Sequence, residues 1–360
     1  MPSWSPNGRK IVFASNRARP TSGIDQLYVM KADGRGVRQL THSALAASEP
    51  SFSPDGKRIV YTASVLDSSG DQSPGNEEPN AIETISAEGT NRRLLTRGLK
   101  YAYRPTWAPD GRWIAFIGHR NSPGPHDPDL YVVRPDGRGL HRLAINIDTP
   151  ALAWSPDSKE IAFTAGNGQQ LHRVPVSAIR PVRLVGRLGA KLPGSSVRFA
   201  DAVTTDIAWS PDGSKIAGVM GTTVVSGGSI DVEYRRLWIN DLKNHQMRLL
   251  RPIIDTNCLL DSGVTITWLR GRRPRLAVFA GKRTDILSAN GRRTLGSLRP
   301  PNRGFLAAGS ASPGGSRVLF VDSPSDCGAI YFDDPAIAAI HSAIYVADLK
   351  SRRVRQLTRG

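Results

Sequence analysis

Apolar positions along the chain fall in short runs, each broken by a cluster of turn-forming residues, and one pairing of runs recurs. It reads PSWSPNGRKIVFAS at Pro2–Ser15, PSFSPDGKRIVYTAS from Pro50, PTWAPDGRWIAFIG from Pro105, LAWSPDSKEIAFTAG from Leu152 and IAWSPDGSKIAGVMG from Ile207. Two weaker copies follow, ITWLRGRRPRLAVFAG from Ile266 and GSASPGGSRVLFVDS from Gly309. A second half completes the repeat: an apolar run, a polar turn and another short run. Examples are QLYVMKADGRGVRQLT ending at Thr41, DLYVVRPDGRGLHRL ending at Leu143 and AIYVADLKSRRVRQLT ending at Thr358. Trp4, Phe52, Trp107, Trp154, Trp209, Trp268 and Ala311 mark one position of the repeat, at a spacing of roughly 43–59 residues. Units starting near 2, 50, 105, 152, 207, 266 and 309 consume the chain, residues 1–360.

Each unit holds four short runs suited to strands. In the second they are Ser51–Ser53, Arg58–Ser64, Ala81–Ser86 and Arg92–Thr96. Pro-Asp-Gly separates the first two, with Pro presetting φ for a turn and Gly supplying the left-handed position. Runs such as IVF, IVY, IAF and VLF are β-branched and aromatic and fit a pleated strand. Only AIAAIHSA at Ala336–Ala343 has the makings of two helical turns. Four strands per unit at this period predict an all-β fold, a single β-propeller of four-stranded antiparallel blades. Seven blades are expected, with six as the alternative, and each blade draws its four strands from its own unit. The blades tile into one domain because none buries both its faces alone.

The repeat resembles the WD40-like repeats of TolB-like β-propellers, whose hallmark is a Trp-Ser-Pro-Asp-Gly turn followed by a strand such as Lys-Ile-Ala-Phe. Trp154–Asp157 and Trp209–Gly213 carry that turn, and Trp107–Gly111 carries it with Ala108 in place of Ser. The resemblance implies the fold and leaves function open, because propellers host binding, scaffolding and catalysis alike. Proteins of the TolB type also carry an N-terminal α/β domain. All 360 residues here go into repeats, so a role in envelope integrity does not carry over.

Chemistry is sparse. Related propellers cap serine peptidases, which need a Gly-x-Ser-x-Gly nucleophile elbow on a separate domain; the chain has no such pentapeptide, and neither a Walker loop nor Gly-x-Gly-x-x-Gly opening a helix. Asp55, Asp110, Asp157 and Asp212 read as turn residues repeated by the architecture, and the recurrent Trp as packing between blades. The one concentration of metal-ligand types is His119, His126, Asp127 and Asp129 in HRNSPGPHDPD. Its prolines make the spacing irregular, so a solvated loop is the better reading. Some sugar-lyase propellers with this kind of repeat use metal-bound histidines, and the resemblance therefore keeps a metal-dependent lyase or hydrolase of acidic polysaccharide as the alternative. The main expectation is a non-catalytic binding or scaffold module with no cofactor and no bound metal.

Loop length divides the two ends of the blades. First-to-second and third-to-fourth turns share one end and stay short, as in SPDG and ADGRG. At the other end lie insertions at Asp67–Asn80, His119–Asp129, Val185–Thr205, Val225–Arg236, Pro252–Val264 and Asp322–Ser342. Loops held by a rigid scaffold tend to carry function, which makes this long-loop end the expected surface for a protein or peptide partner. Its acids, Asp67, Asp71, Glu77, Glu78, Asp127, Asp129, Asp231, Glu233, Asp326, Asp333 and Asp334, together with His119 and His126, are the candidate contacts.

Net charge is +17, from 48 Lys+Arg against 31 Asp+Glu, and the basic excess gathers in the short turns. That balance favours an anionic surface or polymer as a second partner, with Arg272, Arg273, Arg352 and Arg353 as candidate anion-binding residues; sequence-specific nucleic-acid binding is not expected. No apolar stretch reaches the ~18–20 residues of a membrane span. As the sequence stands it reads as cytoplasmic, or as periplasmic or extracytoplasmic if an export signal lies upstream. In the exported case Cys258 and Cys327, in neighbouring units at the same end, are expected to pair, given Cα atoms within about 7 Å. Reversing Arg272, Arg273, Arg352 and Arg353 together to Glu should abolish retention on an anionic matrix at low salt without unfolding the protein. Unchanged retention would show that this charge asymmetry has no binding consequence.

Overall fold

A computed structural model describes residues 2–20, 24–65, 80–99, 101–119, 128–145, 147, 151–165, 170–177, 183–187, 203–226, 229–244, 246–253, 264–280, 283–299, 305–323 and 343–358. The chain divides into two compact units, Met1–Ile147 and Asp148–Gly360. The first holds three blades, β1 (Ser3–Trp4), β2 (Lys10–Ser15), β3 (Gln26–Lys31) and β4 (Arg38–Gln39); β5 (Ala47–Phe52), β6 (Arg58–Ser64), β7 (Asn80–Ser86) and β8 (Arg93–Leu94); β9 (Tyr101–Trp107), β10 (Ile114–His119), β11 (Asp129–Val133) and β12 (His141–Ala144). The second holds four: β13 (Leu152–Trp154), β14 (Glu160–Ala165), β15 (Gln170–Pro175) and β16 (Arg183–Arg187); β17 (Val203–Trp209), β18 (Lys215–Ser226), β19 (Ser229–Asp241) and β20 (Gln246–Ile253); β21 (Thr265–Leu269), β22 (Arg275–Ala280), β23 (Arg283–Ser288) and β24 (Thr294–Leu298); β25 (Phe305–Ala311), β26 (Arg317–Ser323), β27 (Ala343–Asp348) and β28 (Val354–Gln356).

Every sheet is antiparallel with its strands in chain order. The seven expected blades are present, and β28 pairs with β27 so that the seventh completes itself. Within each unit the first strands of successive blades lie against one another, β1 on β5 on β9 and β13 on β17 on β21 on β25. The first strands are therefore innermost and the fourth outermost.

Alternation along the second and third strands sends one set of side chains to the preceding blade and the other to the following one. Between the first two blades, Val12, Leu27 and Val29 meet Phe52, Ile59, Tyr61 and Ile85. Ala217, Val219 and Ile239 of the fifth blade meet Val264, Trp268, Leu276 and Val278 of the sixth in the same way. Directly opposed aromatic rings on these two strands repeat from blade to blade. Phe13 stacks on Tyr28 at 5.7 Å, Phe116 on Tyr131 at 5.6 Å, Phe163 on His172 at 5.5 Å and Phe320 on Tyr345 at 5.5 Å. In the fifth blade Gly218 faces Trp238 instead; a Cβ on Gly218 would fall 2.1 Å from the indole, so one large ring takes the space of two.

The turn from first to second strand is built around a serine. The Oγ atoms of Ser5, Ser53, Ser155 and Ser210 donate to Oδ1 of Asn7, Asp55, Asp157 and Asp212 at 2.8, 2.6, 2.7 and 2.6 Å. The same Oγ atoms accept the N–H of Lys10, Arg58, Glu160 and Lys215, where the second strand begins, at 2.8–2.9 Å. Side-chain oxygen thus closes the turn from both sides. Gly56 completes it at φ +72°, and a Cβ there would lie 3.4 Å from Cδ of Pro6 in the preceding blade, so successive turns also pack on each other.

Two expectations need correcting. The fourth strand of the second blade is Arg93–Leu94, shorter than Arg92–Thr96, because Thr96 has a different task. Its Oγ1 accepts the N–H of Ile82 at 3.0 Å, as Thr41 does for Leu27 and Thr358 for Ile344, each at 2.9 Å. The segment Val225–Arg236, read as a loop insertion, is instead the end of a long hairpin, with register running out to Ser226↔Ser229. The β-branched residues Thr222, Thr223, Val224 and Val225, opposite Ile230 and Val232, extend the strands. Asn80, Thr205, Pro252 and Asp322, at the edges of other insertions, likewise lie in strands.

Hydrogen bonds from Ser53 to Asp55 and from Ser155 to Asp157 hold both carboxyls below their ordinary range; at Asp212, burial opposes the downward pull of Ser210 and Ser214, and the net direction is also down. A carboxyl depressed in the folded state stabilises above its unfolded pKa of about 3.9 and loses that contribution as pH falls through the folded value. Asn7 already holds the same turn uncharged, so Asp55→Asn, Asp157→Asn and Asp212→Asn together should preserve the fold. The urea midpoint of this variant should fall less steeply than that of the parent below about pH 4; parallel curves would show that the turns do not carry acid sensitivity.

Candidate functional site

Between the fourth and fifth blades, at the end where the serine turns lie, is a cavity of about 470 Å³. Ser155, Pro156 and Asp157 come from one turn, and Pro211, Asp212 and Gly213 from the next; Glu160, Arg173 and Trp209 form the rest of the wall. Nη1 of Arg173 donates to Oε2 of Glu160 at 3.0 Å, with both side chains mostly buried. The guanidinium lies 5.9 Å from the centre of the Trp209 ring. Trp209 Nε1 donates to the carbonyl of Gly213 at 3.2 Å.

Three of these residues depart from the other six repeats. Glu160 occupies the position held elsewhere by Lys10, Arg58, Trp113, Lys215, Arg275 and Arg317, and is the only acid there. Strand pairing places Arg173 where the other blades have Val29, Thr84, Val132, Ile239, Ile286 and Val346. A charge thus stands at a position that is otherwise mainly β-branched and apolar. The third departure is Trp209. Trp107 and Trp268 are buried and donate back to the preceding blade, to the carbonyls of Ser51 and Ala208 at 3.2 and 3.0 Å; Trp209 turns to its own loop and stays half-exposed.

Electrostatically the wall offers three carboxylates, Asp157, Glu160 and Asp212, against one guanidinium. Lys159 approaches Asp157 Oδ2 only at 3.8 Å and is largely exposed, so it offsets little. On the fifth-blade face turned to the fourth blade, Asn240 is fully buried, and neither its amide oxygen nor its nitrogen has a protein hydrogen bond. The interface between these two blades is polar where its counterparts are apolar.

Of the residues proposed from sequence, His119 and Asp129 are described with their side chains. His119 ends β10 and is buried, its ring stacked on Tyr103 at 6.2 Å and edge-on to Tyr101 at 6.4 Å; it sits in an aromatic cluster where a solvated loop was expected. Asp129 opens β11 and accepts from Nη1 of Arg142 at 2.9 Å. Asp231 and Glu233 fall on β19. Asp67, Asp71, Glu77, Glu78, His126, Asp127, Asp326, Asp333, Asp334, Cys258 and Cys327 lie outside the described residues, as does the helical segment expected at Ala336–Ala343 except for Ala343, which opens β27 as a strand. Arg272, Arg273, Arg352 and Arg353 are exposed in short turns. Among the described residues no three His, Cys, Asp or Glu are grouped to hold a metal ion, and no helix is long and apolar enough to cross a membrane. The cavity itself was not anticipated, because attention to loop length points to the opposite end. Aligning the seven repeats at Glu160 and Arg173 would have revealed it.

The ion pair gives a test of whether this wall serves stability. Arg173→Val alone leaves Glu160 without its partner and should cost about 1–3 kcal/mol. Glu160→Lys with Arg173→Val restores the residue types of the other blades and should be neutral or stabilising. Urea unfolding of both variants checks this. A double variant less stable than the single one would make the pair a structural requirement.

No family model matches the chain. It is 27% identical over 161 residues to the uncharacterized peptidase YuxL of Bacillus subtilis, covering 37% of this chain and 24% of that protein. Against the TolB homologue of Chlorobium luteolum it is 29% identical over 168 residues, covering 45% and 33%. A match to the TolB homologue of Chlorobaculum tepidum is 32% identical over 137 residues, covering 38% and 27%. The chain thus spans about a quarter to a third of the length of these relatives. Among solved structures, a prolyl endopeptidase superposes with TM-score 0.61 at 13% identity, covering 99% of this chain and 49% of the other. An oligogalacturonate lyase in complex with manganese gives 0.60 at 14% identity, covering 97% and 88%. At such identities these two structures establish fold alone. Seven four-stranded blades give this chain a β-propeller fold, and over less than half of its length its sequence is similar to TolB homologues.

Proposed function

We propose that the chain is a non-catalytic recognition module, a single propeller domain that binds a protein or peptide partner. The observation that carries this reading is the wall of the cavity between the fourth and fifth blades. It puts Glu160 where the other blades have Lys, Arg or Trp, puts Arg173 where they have a mainly β-branched residue, and leaves the Trp209 indole partly exposed. Departures from a repeat that cost packing and gather around one cavity fit a binding site. Indole and guanidinium groups are also the side chains that most often dominate protein interfaces. The acidic long-loop end remains a proposed second contact surface.

The relatives include a named peptidase, and the fold is shared with a lyase, so the test must read turnover as well as binding. Displayed peptides are selected on the purified protein and then titrated against a variant carrying Glu160→Lys, Arg173→Val and Trp209→Ala. The same preparation is incubated with proline-containing arylamides and with oligogalacturonate plus manganese. The expected result is saturable binding that weakens by about tenfold in the variant, roughly 1.4 kcal/mol, and no turnover. Turnover that scales with protein and is lost in His119→Ala would overturn the reading in favour of an enzyme.

A further inference from the structure

Resting on that reading, we infer that the cavity between the fourth and fifth blades receives a cationic side chain, an arginine or lysine, from the partner polypeptide. Three carboxylates line it, and only Glu160 is engaged by Arg173, at 3.0 Å. Asp157 and Asp212 spend Oδ1 on their own turns, on Ser155 and Lys159 in one case and on Ser210 and Ser214 in the other. Both residues line the cavity, and Oδ2 of Asp157 meets the largely exposed Lys159 ammonium only at 3.8 Å. Hydrogen bonding from Ser155 holds the Asp157 carboxyl below its ordinary range, and at Asp212 the bonds from Ser210 and Ser214 outweigh burial in the same direction. The half-exposed Trp209 ring lines the same cavity, and a cation near an indole and flanked by carboxylates is attracted by both. The lining itself holds three carboxylates against one guanidinium, a balance that favours a cationic over an anionic occupant.

The rest of the molecule narrows the partner further. With a net charge of +17, the protein repels a polybasic chain at long range. The site therefore selects an isolated basic residue in a neutral or acidic segment, read by a local acidic pocket inside a basic surface. The Ser-Pro-Asp turn sets the spacing: the fourth and fifth blades each supply one carboxylate from it, and together they supply the pair.

The probe is the blocked tripeptide acetyl-Gly-Arg-Gly-amide, with the citrulline peptide as its uncharged counterpart. Binding is followed by the indole N–H resonance of Trp209, assigned by its loss in Trp209→Phe. Saturable movement of that resonance by the arginine peptide, with none from the citrulline peptide, is expected. Asp157→Asn with Asp212→Asn should weaken the dissociation constant by about tenfold, and Asn7 shows that the turns tolerate the exchange. A resonance that moves equally with citrulline, or an affinity unchanged in the double Asn variant, would overturn the inference. So would digalacturonate binding that strengthens in the Asn variant and disappears in Arg173→Val. If selected peptides bind the intact protein but ignore these substitutions, the recognition reading stands and the cationic pocket falls.

Discussion

In the first, second, fourth and fifth blades a serine hydroxyl placed between a side-chain oxygen and a backbone amide organises the blade from its inner end. At Ser53 the Oγ atom gives its proton to Asp55 and takes the N–H of Arg58, so the reversal from first to second strand is closed before any long-range contact is made. Register in the second strand is fixed from that point, and with it the choice of which side chains meet the preceding blade and which the following one. A slip of one residue would exchange Ile59 and Tyr61, which belong to the core shared with the first blade, for Val60, which belongs to the core shared with the third. The other elements inherit this alignment. The stacked rings at Phe13–Tyr28 and Phe163–His172 meet only because both hairpins start in phase.

The same turn explains why a cavity can arise at the inner short-turn end without extra chain. Successive turns approach closely, with Pro156 about 4.0 Å from where a Cβ on Gly213 would lie. Small exchanges on the neighbouring strands then decide whether the space between blades is filled or open. In the fourth blade the exchange is Arg173 for a β-branched residue, and the half-exposed Trp209 beyond it leaves the mode of packing used by Trp107 and Trp268. The matching stretch of the second blade shows another outcome, a buried Glu83 held by Tyr61 at 2.5 Å and by Arg92, where burial and the carboxylate raise the Tyr61 hydroxyl far above its usual range. Glu83 is the neighbour of Thr84, the counterpart of Arg173, so adjacent scaffold positions carry a sealed network in one blade and an open cavity in another.

Blade number, strand order and the buried indoles were legible from the repeat, since a period of four short runs leaves few other architectures. The turn roles of Asp55, Asp157 and Asp212 were legible as well, because Ser-Pro-Asp-Gly names its own hydrogen bonds. The site was not. Composition and loop length weigh residues by exposure and direct attention to long, polar insertions, whereas Glu160 and Arg173 sit inside strands whose pattern looks ordinary until it is compared with its six siblings. The Val225–Arg236 segment misled for a related reason: its glycines and acids suggested a loop, while its β-branched residues continue the ladder to Ser226↔Ser229.

Outer strands are where one sheet can join another. In the first, second and seventh blades this edge is only two or three residues long, Arg38–Gln39, Arg93–Leu94 and Val354–Gln356. Each is tied down by the threonine that follows it, whose hydroxyl engages the neighbouring strand. Such brief, arginine-bearing margins give a foreign strand little backbone to copy and meet it with positive charge. The fifth blade is the exception, since β20 presents eight residues, Gln246–Ile253, as the margin of its sheet. Resistance to self-association is therefore uneven around the molecule, and the blade that supplies Trp209 to the cavity also carries the longest edge on which aggregation can begin.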